Sequence, residues 1–135
     1  MGGMVRFHRF GGADVLKVEQ VATPGPGAGE VRIAVQAIGL NRADALWRQN
    51  QYIEDATLPA GLGNEAAGLI EAVGAGVHGL SVGERVALLP GANQGLYPTY
   101  GESILFPASH VVRYPGNLSA EQAAGAYMAY LTGYF

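Results

Sequence analysis

Two glycine-rich stretches in this 135-residue chain carry the spacing of a phosphate-binding loop. In "GLGNEAAG", residues 61–68, Gly61, Gly63 and Ala66 fit the pattern G-x-G-x-x-G/A, and "GAGVHG", residues 74–79, fits it again. That spacing serves a dinucleotide when a strand ends in the loop and a helix follows, so that unpaired N–H groups at the helix start meet the pyrophosphate. Metal chemistry has less to draw on. The chain has no cysteine, hence no thiolate ligand and no disulfide, and His8, His78 and His110 are far apart with no short ligand spacing.

Whether a glycine loop can hold phosphate depends on the elements around it. Apolar residues make up 49% and charged residues 14%, the balance of one soluble globular domain. A net charge of -3 supplies no basic field for nucleic acid or anionic lipid. No apolar run is long enough for a membrane span and the N-terminus has no secretory core, so a cytoplasmic location is expected. Short β-like runs at 5–8 and 15–21 precede "TPGPGAGE", where proline and glycine break regular structure. In "EVRIAVQAIGL", period-two alternation places Val31, Ile33, Val35 and Ala37 on one face and Arg32, Ala34 and Gln36 on the other. Residues 41–50 predict a short helix capped by Asn41, with Asp44 at the dipole-favoured third position, and an irregular loop over 51–62.

Strands return in "EAAGLIEAV" and "ERVALLP", and two more flank Pro107. Ser119 and Gln122 then form a capping box for a terminal helix whose apolar face runs through Ala120, Ala124, Tyr127, Leu131 and Tyr134. Many short strands, one small helix and a terminal helix predict a mainly β fold, an irregular antiparallel barrel with helical embellishments. Neither glycine loop leads into a helix. Both are therefore read as turns.

The segment "GNEAAGLIEAVGAGVHGLSVGERV" resembles the signature of the medium-chain dehydrogenase/reductases, G-H-E-x-x-G-x-V-x-x-V-G followed by a variable turn and G-D-x-V. Gly63, Glu65, Gly68, Val73, Gly74, Gly83 and Val86 fall in place, and Glu84 substitutes for the aspartate. "GLNRAD", "YGESILFPASHVVRYP" and "LSAEQAAGAYMAYLTGYF" extend the likeness over nearly the whole chain from Phe7. The resemblance implies a GroES-like β-barrel catalytic domain over 1–118, and a helix over 119–135 that in the family leads into a Rossmann domain. It also implies that the Rossmann domain and a returning C-terminal segment are missing, so that the chain is part of a longer oxidoreductase.

In the zinc-dependent branch a Cys, a His and a second Cys hold the metal; the matching positions here are Asn41, Asn64 and Met128. An amide oxygen is a poor zinc ligand and a neutral thioether is no thiolate, so no protein-bound zinc is expected. The chain is similar to the zinc-independent quinone oxidoreductases, which carry Asn at the Asn41 position and Tyr eleven residues on, here Tyr52. Carried over, Asn41 and Tyr52 sit beside the nicotinamide of NADPH as catalytic and cofactor-binding residues, and Thr132 contacts the cofactor at the domain junction. Asn64 and Arg48 are candidates for the substrate cleft.

The chemistry agrees: an amide offers donor and acceptor together, and a phenol can donate to a developing oxyanion. Each residue also has a plainer role open to it. Asn41 caps a helix, Tyr52 packs as a loop aromatic, Thr132 bonds its own backbone, Asp44 serves the helix start, and Trp47 and Arg48 belong to an amphipathic helix face. Some zinc-free relatives carry a Lys three residues before the Thr, where this chain has Ala129.

Three functions follow. The parent protein reduces quinones or enones; or it reduces 2-enoyl thioesters, with Tyr52 as proton donor to the α-carbon; or it is a non-catalytic binding or structural relative. The chain alone is expected to be inactive and to self-associate through Tyr127, Met128, Tyr134 and Phe135, as a homo-oligomer with the terminal helix exchanged between copies. A fluorescence titration should show no saturable NADPH binding below the millimolar range. Micromolar affinity, or a strictly monomeric species in light scattering, would contradict these expectations.

Overall fold

A computed structural model describes residues 2–52, 56–90 and 92–126. It contains strands β1 (Gly2–Arg6), β2 (Lys17–Val21), β3 (Glu30–Gly39), β4 (Glu65–Val73), β5 (Arg85–Leu88), β6 (Ser103–Pro107) and β7 (Val111–Arg113). Helix α1 (Arg42–Arg48) links β3 to the loop before β4, and α2 (Ala120–Ala124) follows β7. Tyr127, Met128, Ala129, Leu131, Thr132, Tyr134 and Phe135 lie outside the described residues.

Five strands form one antiparallel sheet in the order β6-β3-β4-β5-β7, and β1 and β2 form a separate ribbon. The ribbon touches the large sheet at one corner, where Met4 bridges Gly101, Val5 N–H donates to Tyr100 O at 2.9 Å, and Glu102 N–H donates to Gly3 O at 2.9 Å. The expected β-barrel is therefore open: among the described residues the ladder does not close on itself, because β6 and β7 stand at opposite edges.

Register explains the core. Ile33 pairs with Ile70 on one side and Ile104 on the other, so one row across β6, β3 and β4 is branched and apolar. With Val31, Val86, Leu88 and Phe106 it makes the principal core. Ala66 joins this core while Ala67, pointing the opposite way, packs with Ala87, Tyr114, Ala123 and Ala124. Strand β4 is thus covered on both faces, and α2 lies against small side chains. Gly68 allows the close approach where β3 bulges, since a Cβ there would lie 2.0 Å from Ala34 O.

One alternation is resolved differently from the sequence reading. Alternation places Arg32 on the polar face of β3, yet it is 8% exposed. Its Nε donates to Pro24 O at 2.8 Å and its Nη1 to Ser103 Oγ at 2.8 Å, so the proline-glycine segment folds over it. Strand period predicts the side a residue faces and says nothing about what covers that side.

The capping box of α2 forms as expected, with Gln122 N–H donating to Ser119 Oγ at 3.1 Å and Ser119 N–H to Gln122 Oε1 at 2.9 Å. Ala124 is buried and Ala120 is partly buried against the sheet, joined by Ala123. Replacing Gly68 by Ala should cost about 3 kcal/mol in chemical denaturation, because backbone, not a flexible side chain, must move. An unchanged midpoint would show that the bulge is not tight.

Candidate functional site

Strand β3 ends at Gly39, the chain turns through Leu40, and Asn41 caps α1 in an extended conformation. The Asn41 backbone N–H donates to Asp44 Oδ2 at 3.2 Å, and Asp44 N–H donates to Asn41 O at 3.0 Å. Asp44 is 3% exposed, so this capping residue carries its carboxyl into the protein. Two distant side chains meet it there. Tyr100 O–H donates to Oδ2 at 2.7 Å and Asn64 Nδ2 donates to Oδ1 at 3.3 Å. One carboxyl therefore joins the start of α1, the approach to β4 and the approach to β6.

Glu65 adds a second buried carboxyl, 2% exposed, which accepts from Asn41 Nδ2 at 3.0 Å. Its backbone carbonyl accepts from Thr99 Oγ1 at 3.2 Å. Before it, Gly63 holds φ +108°, and a Cβ there would lie 2.2 Å from Thr99 Oγ1. Gly63 N–H donates to Gln94 Oε1 at 2.8 Å. The glycines of "GLGNEAAG" thus serve a tight turn that delivers Asn64 and Glu65. The stretch runs directly into β4, and residues 74–79 run through a turn toward β5, so neither meets a helix start.

Burial pushes the Asp44 carboxyl above its usual range, and the charge of Glu65 acts in the same direction; the bonds from Tyr100, Asn41 and Asn64 oppose it without cancelling it. The Tyr100 phenol is pushed up by burial and then by its bond to Asp44, so it remains a donor throughout the physiological range.

The two asparagines at metal-ligand-like positions, Asn41 and Asn64, are brought together through Asp44. Among the described residues no three His, Cys, Asp or Glu side chains converge as a metal site. Tyr52 lies beyond the other end of α1, partly buried, its ring edge-on to Trp47 at 6.3 Å. Trp47 Nε1–H donates to Gly61 O at 2.9 Å, which ties the Tyr52 end of α1 to the glycine turn. Arg48 Nε donates to Gly11 O at 3.1 Å, so the side chain fastens the 9–12 loop to α1. Thr132 and Met128 lie outside the described residues. Sequence reasoning singled out neither Gln94 nor Thr99, and it quoted Tyr100 within a motif without giving it a role. Nothing in their local spacing marks them, and all three come from the segment between β5 and β6.

Residues 27–132 match the alcohol dehydrogenase GroES-like domain. The chain is 34% identical over 135 residues to quinone oxidoreductase 1 of Escherichia coli (strain K12), covering 100% of this chain and 40% of that protein. It is 35% identical over 127 residues to the synaptic vesicle membrane protein VAT-1 homolog of Rattus norvegicus, covering 93% of this chain and 30% of that protein. The crystal structure of Escherichia coli quinone oxidoreductase complexed with NADPH superposes with a TM-score of 0.86 at 31% identity, over 98% of this chain and 39% of that one. The chain thus spans about 40% of the length of the quinone oxidoreductases it matches.

The raised Asp44 pKa has a consequence for stability. The folded state holds that proton more tightly, so its stabilising contribution is complete below the ordinary carboxyl value of 3.8 and is lost as pH rises through the higher folded value. The unfolding free energy of the wild type, relative to Asp44→Asn, should therefore fall as pH rises through that window. A difference that is flat or rises with pH would refute the shift.

Proposed function

The chain belongs to the alcohol dehydrogenase GroES-like domain family, within the quinone oxidoreductase-like medium-chain dehydrogenases/reductases, and from that premise we propose that it supplies the catalytic domain of a longer, zinc-free NADPH-dependent quinone reductase. One observation carries the zinc-free part of this reading. The asparagines at the metal-ligand-like positions are bound into a protein network, Asn64 to Asp44 and Asn41 to Asp44 and Glu65. Amide groups held in this way are poor zinc ligands.

The nicotinamide cofactor, when bound, supplies the hydride. The residues of this chain fit its nicotinamide end and not its pyrophosphate, because the glycine turns lead into strands and offer no helix start. In this reading Asn41, Tyr52 and Thr132 border the nicotinamide, and the rest of the cofactor is held by a nucleotide-binding domain beyond the matched region. Leu40, 75% exposed beside Asn41, gives the site an apolar lip suited to a flat ring. A quinone needs no Lewis acid, since its ring spreads the charge that hydride addition creates. It needs donors to the carbonyl oxygens and a proton, and the Asn41 amide and Tyr52 hydroxyl are groups of that kind. Asn64 contributes by holding Asp44 in place, and Arg48 by fixing the end of α1.

The test uses the full-length protein, with NADPH and either a 1,4-quinone or a crotonyl thioester. Quinone turnover should survive EDTA unchanged, Asn41→Ala should lower kcat about 100-fold and Tyr52→Phe about tenfold. Loss of activity on chelation would overturn the zinc-free mechanism. Turnover of the thioester alone, abolished in Tyr52→Phe, would establish the enoyl reductase instead, and turnover of neither would leave a binding role.

A further inference from the structure

The bond that Asn41 makes to Glu65 has a chemical consequence for whatever Asn41 touches. An asparagine amide has two N–H donors at one end and one acceptor oxygen at the other, and the two ends have nearly the same shape. In this fold the Nδ2 end faces Glu65 Oε1 at 3.0 Å. The Asp44 N–H bonds the Asn41 backbone carbonyl at 3.0 Å, so the side-chain amide takes its orientation from Glu65. Turning the amide over would bring its oxygen against the carboxyl oxygen of Glu65. That contact would become repulsive, so Glu65 determines the orientation.

Glu65 is itself fixed. It is 2% exposed, it pairs with Gly39 in the β3–β4 ladder, and its carbonyl takes the Thr99 hydroxyl at 3.2 Å. Gly39 opens the path between the two side chains, since a Cβ at that position would lie 2.5 Å from Glu65 Oε1. The two buried carboxyls divide the two asparagines between them: Asp44 takes the side chain of Asn64, and Glu65 takes that of Asn41.

We infer that Glu65 is a positioning residue that fixes the orientation of the Asn41 amide, so that Asn41 meets its ligand as a hydrogen-bond donor and selects an acceptor atom, a carbonyl oxygen. One Nδ2 hydrogen is engaged by Glu65 and the other remains for the ligand. The inference rests on the reading of Asn41 as a site residue. It adds that this residue holds a carbonyl and not an N–H group, and that Glu65 acts on the reaction only through it.

The experiment combines a double-mutant cycle with a spectroscopic readout. Glu65→Gln keeps the shape of the side chain but offers donor and acceptor alike, so the Asn41 amide can turn over. In the full-length enzyme it should lower kcat about tenfold with little change in the quinone KM. The Asn41→Ala/Glu65→Gln double variant should be no slower than Asn41→Ala alone. In the 135-residue chain, one of the two Asn41 side-chain N–H resonances should be protected from exchange, and that protection should be lost in Glu65→Gln. A wild-type kcat in Glu65→Gln, losses that multiply in the double variant, or protection that survives Glu65→Gln would each overturn the inference and leave the proposed reaction intact. An Asn41→Ala enzyme at full rate would instead remove Asn41 from the site, and the inference with it.

Discussion

A single carboxyl taken out of water organises the region around α1. Asp44 cannot be buried without partners, because an unpaired charge in the interior is costly. Its partners are the Asn41 backbone, the Asn64 amide and the Tyr100 hydroxyl, from three separate parts of the chain. Meeting that demand fixes where α1 starts, where β4 begins and how the segment before β6 crosses them. The remaining polar contacts of the region, Asn41 to Glu65, Thr99 to Glu65 and Gly63 to Gln94, lie within the frame those bonds create.

Steric room is the second constraint, and it is met by absent side chains. Gly39, Gly63 and Gly68 each stand where a Cβ would collide with a neighbour at 2.5 Å or less. The apparent nucleotide fingerprint comes from this requirement. Its glycines let the turn before β4 press against the segment carrying Thr99 and Tyr100, so the spacing fits a phosphate loop while the geometry serves a carboxyl cluster.

Local chemistry was legible in the sequence and long-range chemistry was not. The cap at Asn41 with Asp44, and the capping box of Ser119 with Gln122, involve residues three apart and follow from side-chain type. Alternation marks β2 and β3, and turns bound the later strands, but the first strand lies at Gly2–Arg6 and not at 5–8, because its glycines carry no apolar period. The convergence of Asn41 and Asn64 on Asp44 has no local signal, and the roles of Gln94, Thr99 and Tyr100 were missed, because their bonds span 31, 34 and 56 residues. The burial of Arg32 was missed for a related reason: its cover is a loop whose path alternation does not encode. The openness of the sheet likewise depends on which distant strands pair, and no local pattern states that.

Asp44 is a buried, hydrogen-bonded carboxyl around which the site is built. A carbon-13 NMR titration of its side-chain carboxyl, in the 135-residue chain and in Tyr100→Phe, tests this most directly. The expected midpoint lies above 3.8 in the wild type and moves further up when the tyrosine hydroxyl that favours the charged form is removed. A midpoint at or below 3.8, or one that does not move in Tyr100→Phe, would contradict it.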